Sequence, residues 1–273
     1  MRAFDRKFGP DFLAGVPAAP GVYRFHDADG ALLYIGTAAN LRRRLGQYRT
    51  ARRRKRDRKR HALVRRGAAI TWEVCESALS AALLEIRLIQ RLRPPMNVVT
   101  AFPFLYPFIG FCADGRETYF CLTTTPEAFP AFEFHGVFRS RAVTREAFFS
   151  LMRLLRFAGH PVPRHRCRRL GTAPRSSVIG FRRLPPDVAE NWGRLLSGSS
   201  REALETLTLR LLEHAGALAR RAEVHEDLRA IARFFRDEAC ALARARIATG
   251  YPDYPVPQAE RDLLFARYRA LDR

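Results

Sequence analysis

GVYRFHDADGALLYIGTAANLRRRL, Gly21 to Leu45, decides how the first third of the chain folds. Gly21–His26 is rich in β-branched and aromatic residues and reads as a strand. Asp29-Gly30 is a strong hairpin turn signal, and residues 31–35 read as the return strand, which Gly36 ends. Asn40 is placed to cap a helix through about Tyr48, with Leu41 and Leu45 one turn apart on its inner face. Two tyrosine-bearing triplets, GVY and YIG, thus flank one turn, and cations follow at once.

Outward from this stretch, nine of the twelve residues 49–60 are basic and show no apolar period, which predicts a solvated loop or a helix extension stabilised against an anion. ITWEVC, residues 70–75, reads as a third strand. Ser77 caps a helix carrying Leu79, Leu83, Ile86 and Ile89 or Gln90 on one stripe, and Pro94-Pro95 stops it. The fold class is therefore α+β, a small antiparallel sheet flanked by helices within residues 1–100. Residues 101–190 carry a hairpin turning at Asp114-Gly115, an amphipathic helix from Thr144 and a basic, proline-broken loop from His160. Residues 191–273 carry two helical patterns, 200–222 and 223–248, expected to form an antiparallel helical hairpin, and a tail.

The formal net charge is +21, and residues 1–100 hold 21 Lys+Arg against 8 Asp+Glu. Such a field attracts polyanions, of which nucleic acid is the commonest inside cells. No apolar run is long enough to span a bilayer, and no secretory signal opens the chain, so no membrane partner is expected. Cys75, Cys112, Cys121, Cys167 and Cys240 are scattered without a CxxC pair, which fits reduced thiols in a cytoplasmic protein.

Phosphodiester hydrolysis needs a group to activate water, an electrophile to take charge from the phosphate, and alignment of both. Tyr23 and Tyr34 on paired strands, Arg44 on the next helix, Glu85 in an apolar helix and Asn97 after the prolines are candidates. Each also has an ordinary reading: strand packing for the tyrosines, a surface ion pair for Glu85, turn chemistry for Asn97. A carboxylate such as Glu85 suits Mg²⁺ or Mn²⁺.

Taken together, GVY, YIG, ANLRRRLGQY and LLEIRLIQRLRPPMN resemble, in order and spacing across about residues 17–100, the GIY-YIG nuclease family in the form that opens the bacterial excinuclease C subunit (UvrC). Parts of residues 101–273 are similar to that subunit's middle region, more loosely. The resemblance implies a metal-dependent endonuclease of nucleotide excision repair. It makes Tyr34 the general base, with Tyr23 bonding the water or scissile phosphate, Arg44 and Tyr48 stabilising the phosphate, Glu85 holding one divalent cation and Asn97 buttressing the site. It implies damaged double-stranded DNA as substrate, and the excess of positive charge makes Arg42, Arg43, Arg49, Arg52, Arg53, Arg54, Lys55, Arg56, Arg58, Lys59 and Arg60 the expected contacts to its backbone. The helical hairpin, about residues 197–248, falls where that subunit binds its helicase partner; packing on its own chain is the other reading of it.

Three departures stand out. Thr37 replaces the lysine that usually follows YIG. Cys167 lacks the neighbouring cysteines of the family's cluster, so no iron–sulfur centre is expected. The chain ends at Arg273, where that subunit continues into a second nuclease domain, so a single incision is expected. Two alternatives share the fold: a DNA-binding or partner-recruiting module without activity, and a nuclease of mobile-element or branched-DNA type.

Overall fold

The computed structural model describes residues 1–51, 57–98, 100–115, 117–185 and 191–271. The chain divides into two compact units, Met1–Pro103 with Phe265–Arg273, and Phe104–Leu264.

In the first unit, β1 (Gly21–His26) is the central strand of an antiparallel sheet, between β2 (Leu32–Ala38) and β3 (Ala69–Val74). At the turn, Asp27 Oδ1 accepts from the N–H groups of Asp29 (3.1 Å) and Ala31 (2.8 Å), and Gly30 takes a φ of 80°. Side chains alternate between the faces of a strand, which divides the core in two. Phe4 of α1 (Ala3–Phe8), Leu41, Leu45 and Tyr48 of α2 (Leu41–Arg49), and Leu63 and Val64 of α3 (Arg58–Arg66) pack on the face carrying Tyr23 and Phe25. Ala81 and Ile89 of α4 (Ala78–Leu92) pack on the face carrying Val22 and Ile35.

The expected caps form: Asn40 accepts from the Arg43 N–H, and Ser77 and Ser80 make a reciprocal capping box. Two expectations give way. β2 does not stop at Gly36 but continues to Ala38, pairing Gly36, Thr37 and Ala38 with Tyr23, Val22 and Gly21. The second half of the basic tract is neither a loop nor a helix that needs an anion to form. It is helical from Arg58, because Leu63 and Val64 bury against the sheet while Lys7 Nζ binds the carbonyls of Arg65 (2.5 Å) and Gly67 (2.8 Å) at the helix end.

In the second unit, β4 (Phe108–Asp114), β5 (Glu117–Thr123), β6 (Glu133–His135), β7 (His160–Pro161) and β8 (Ser177–Arg182) form an antiparallel sheet in the order β6-β4-β5-β8-β7. The stretch 160–177, expected as loop, therefore supplies the two-residue strand β7 and the short helix α6 (Arg164–Arg168), and β8 starts at its last residue. Helix α5 (Arg141–Ala158) begins three residues before Thr144, since Ser140 accepts from the Val143 N–H. The two expected C-terminal helices break elsewhere: Glu202–Leu212, Ala215–Ala219, Arg221–Phe234 and, after one π turn, Cys240–Thr249. His214 caps the second of these, which places a break inside the first pattern. Arg221–Phe234 lies along α5, with Arg153 Nε 3.0 Å from Asp227 Oδ2.

Glu238, 6% exposed, accepts from the N–H groups of Arg139 (2.7 Å) and Ser140 (3.0 Å) at the start of α5. Glu238→Ala strips an acceptor from both donors, and the second unit is expected to lose about 2 kcal/mol. Urea denaturation followed by the fluorescence of Trp192, which is 0% exposed in this unit, measures it.

Candidate active site

Gly36 faces Tyr23 across the ladder. A Cβ at residue 36 would fall 2.5 Å from Tyr23 Cζ and Oη and 2.9 Å from Tyr34 Cε1. Only glycine lets the Tyr23 ring cross β2 at this point and sit beside Tyr34, with the ring centroids 6.2 Å apart. Tyr23 is wholly buried, so its hydroxyl must find partners inside the protein. Tyr48 Oη lies 2.9 Å away, and Arg44 Nε donates to it at 3.2 Å. Arg44 and Tyr48 are four residues apart on α2 and so share one face. Gln47 Oε1 accepts from Arg44 Nη1 at 2.8 Å and steadies the guanidinium.

Glu85 approaches from α4, on the other side of β2, and its carboxylate accepts from the Thr37 backbone N–H. Burial pushes its carboxyl up to about 7, against the downward pull of that N–H, Arg44 and Lys59. Burial, followed by Tyr23 and Glu85, likewise raises the Tyr34 phenol above its ordinary value, and Arg44 opposes. Both groups therefore lean towards their neutral forms.

Asn97 grips β2 from its outer side. Its Oδ1 accepts from the Ile35 N–H and its Nδ2 donates to the Ile35 carbonyl, each at 2.9 Å. β2 is an edge strand, and the side-chain amide supplies the donor and acceptor that a further strand would have given. Thr37 brings no charge: its hydroxyl donates to the Gly21 carbonyl at 3.4 Å.

The expected backbone-tracking cations separate into groups. Arg42 Nε donates to the Val16 carbonyl (2.7 Å), Arg49 pairs with Asp5 (2.7 Å) and Arg60 with Asp57 (3.1 Å), while Arg43 and Arg58 are exposed. Lys59 is exposed as a residue, yet its Nζ lies 4.4 Å from the Tyr34 ring centroid. Arg52, Arg53, Arg54, Lys55 and Arg56 lie outside the described residues. Among the described residues no three His, Cys, Asp or Glu side chains gather as a metal cluster. Glu85 alone suits a hard divalent cation that keeps most of its waters and completes its shell with substrate oxygens.

Residues 19–98 match the family model for the UvrC-like GIY-YIG domain. This segment is a UvrC-like GIY-YIG domain. The UvrABC system protein C of Saccharophagus degradans is 42% identical over 105 residues, 38% of this chain and 17% of that protein. That of Proteus mirabilis is 32% identical over 224 residues, 79% of this chain and 36% of that protein. The chain thus spans 17% to 36% of the length of these relatives. Among solved structures, the GIY-YIG N-terminal endonuclease domain of UvrC from Thermotoga maritima, bound to magnesium as its catalytic divalent cation, is 30% identical; the match covers 32% of this chain and 91% of that one, with a TM-score of 0.28.

Within this GIY-YIG domain, two residues were not legible as part of the tyrosine cluster. Gly36 read as a strand end rather than as the space for a tyrosine ring. Lys59 read as one cation among many; its signal was rarity, since Lys7, Lys55 and Lys59 are the only lysines among 48 Lys+Arg.

Gly36→Ala is expected to cost about 2 kcal/mol by overpacking against Tyr23, read by urea denaturation. Glu85 gives a pH signature of its own. Its folded-state pKa of about 7 exceeds the ordinary 4.5, so the folded protein holds a proton that the unfolded chain has released. Stability should therefore fall as pH rises from 5 to 8, by on the order of 2 kcal/mol, and Glu85→Gln should abolish that fall. Metal-free melts at the two pH values check it.

Proposed function

We propose that the chain is a metal-dependent DNA endonuclease of nucleotide excision repair that makes a single incision. One observation carries the reading: Tyr23, Tyr34, Arg44 and Tyr48 converge at the edge of the sheet where Glu85 comes through from the opposite side. Relatives named for the UvrABC system and the net charge of +21 support DNA as the substrate.

In this reading Tyr34 first gives its phenol proton to solvent, and the phenolate then takes the proton of the attacking water. The water oxygen bonds to phosphorus while the ester P–O bond breaks, and the leaving oxygen departs with the bonding pair, to be protonated by solvent. Arg44 and the hydroxyls of Tyr23 and Tyr48 take up the charge growing on the phosphate oxygens. Glu85 would hold Mg²⁺ or Mn²⁺, which supplies Lewis-acid stabilisation of the phosphate and leaving oxygen. Asn97 holds the strand that carries Tyr34. A helicase partner in this pathway would meet the exposed side of the helices within about residues 197–248, whose other side packs within the unit.

A module that binds DNA without cutting it is favoured by one residue, Thr37. A nicking assay on damaged and undamaged duplex with Mg²⁺ or Mn²⁺ separates the two readings. The parent should nick, and Glu85→Ala should lose at least about a hundredfold in rate while DNA affinity by gel shift holds or rises. Nicking by Glu85→Ala at the parent rate would remove the metal assignment.

A further inference from the structure

The domain's pattern has a lysine after YIG, and here that position is an uncharged threonine whose hydroxyl is turned to the Gly21 carbonyl. The cluster does not lack an ammonium. Lys59 Nζ sits 4.4 Å from the Tyr34 ring centroid and is electrostatically coupled to Glu85 and Arg44. It arrives from α3, a different element of the chain.

Its placement is built into the fold. Buried Leu63 and Val64 anchor α3 to the core, Lys7 ties down the carbonyls at its far end, and Asp57, 7% exposed, pairs with Arg60 at its start. With both ends of the helix fixed, the second residue of α3 is held over the tyrosine. The residue type is informative as well. This chain uses arginine almost everywhere, and three lysines remain among 48 Lys+Arg. Of the two that are described, Lys7 directs its ammonium at two carbonyls and Lys59 at a phenol ring. A compact ammonium with three donors suits the two carbonyls at Lys7, and over the Tyr34 ring it sets a point charge where a guanidinium, like that of Arg246 over Tyr254, would stack as a plane.

We propose that Lys59 is a positioning residue of the nuclease site: it replaces from α3 the lysine missing at position 37, orients the Tyr34 ring and keeps a positive charge beside the phenol for the incoming phosphate. The proposal rests on the nuclease reading above. It separates Lys59 from the arginines around it, whose phosphate contacts would act on affinity alone. A cation over the ring face holds Tyr34 in one rotamer and favours negative charge on its oxygen.

The experiment uses the full chain under single-turnover conditions with saturating duplex DNA and Mn²⁺, comparing Lys59→Met, Lys59→Arg, Thr37→Lys, Thr37→Lys/Lys59→Met and Glu85→Ala. Lys59→Met should lower the nicking rate about a hundredfold. Its DNA affinity should change by less than about threefold, as for one lost phosphate contact. Its affinity for Mn²⁺ by calorimetry should hold or tighten, since a cation near Glu85 has gone. Thr37→Lys should recover at least about tenfold of the loss in the Lys59→Met background and change the parent rate by less than about threefold, because both lysines serve one place. Lys59→Arg should fall between parent and Lys59→Met.

A Lys59→Met protein that nicks at the parent rate beside an inert Glu85→Ala overturns the proposal and leaves the nuclease reading intact. So does a rate loss accompanied by an equal loss of DNA or Mn²⁺ affinity, or a Thr37→Lys effect of the same size in both backgrounds. A parent no more active than Glu85→Ala overturns the nuclease reading, and the proposal with it.

Discussion

The ring of Tyr23 lies where the side chain of residue 36 would be, and the site depends on that substitution of space. A strand residue normally points away from its cross-strand partner's volume, but with hydrogen at Gly36 the phenol leans across β2. That lean brings Tyr23 beside Tyr34 and buries its hydroxyl where Tyr48, Arg44 and Tyr34 satisfy it. Because a buried polar group without a partner costs more than its bond returns, the requirement runs both ways. Tyr23 fixes α2 in rotation, and α2 fixes the guanidinium. The same tyrosines belong to the core cluster with Phe4, Phe25 and Leu63, so their hydroxyls are held by packing rather than by a loop.

A second constraint comes from the position of β2 at the edge of its sheet. Edge strands carry outward N–H and C=O groups that invite pairing with another chain. Here those groups take up local partners: Asn97 binds both backbone groups of Ile35, and the Thr37 N–H binds the Glu85 carboxylate. The edge is closed by side chains, and in closing it they set Asn97 and Glu85 around Tyr34. One backbone strand thereby locates groups that arrive from α4 and from beyond it.

What the sequence revealed was local in physical origin. The hairpin, the Asn40 and Ser77 caps and the two-sided core follow from turn chemistry and from periods of two and 3.6 residues, which act within a few positions. The extension of β2 was hidden because its cause, the Tyr23 ring, sits on another strand. The helix at Arg58–Arg66 was hidden because a run of charge masked the two residues, Leu63 and Val64, that bury. Of the site, the residues that share a sequence block were legible as a set. Lys59 was not, since its meeting with Tyr34 is a tertiary fact separated by 25 positions, and in the tract RTARRRKRDRKR its being lysine sets it apart from the arginines but not from Lys55.

Charge in the cluster follows one logic. Burial biases the Tyr34 phenol and the Glu85 carboxyl towards neutrality, while Arg44 biases both, and Lys59 the carboxyl, towards charge. In a partly dry site these opposed effects are each larger than they would be in water, so their balance responds strongly to any ion that enters. A divalent cation at Glu85 would favour the carboxylate, and a phosphate would occupy the positive field of Arg44 and Lys59, relieving the repulsion between those two cations. Each arrival lowers the cost of the next. On this account Tyr34 and Glu85 rest in their neutral forms beside Arg44 and Lys59, and their charged forms would be stabilised jointly, with metal and substrate both in place.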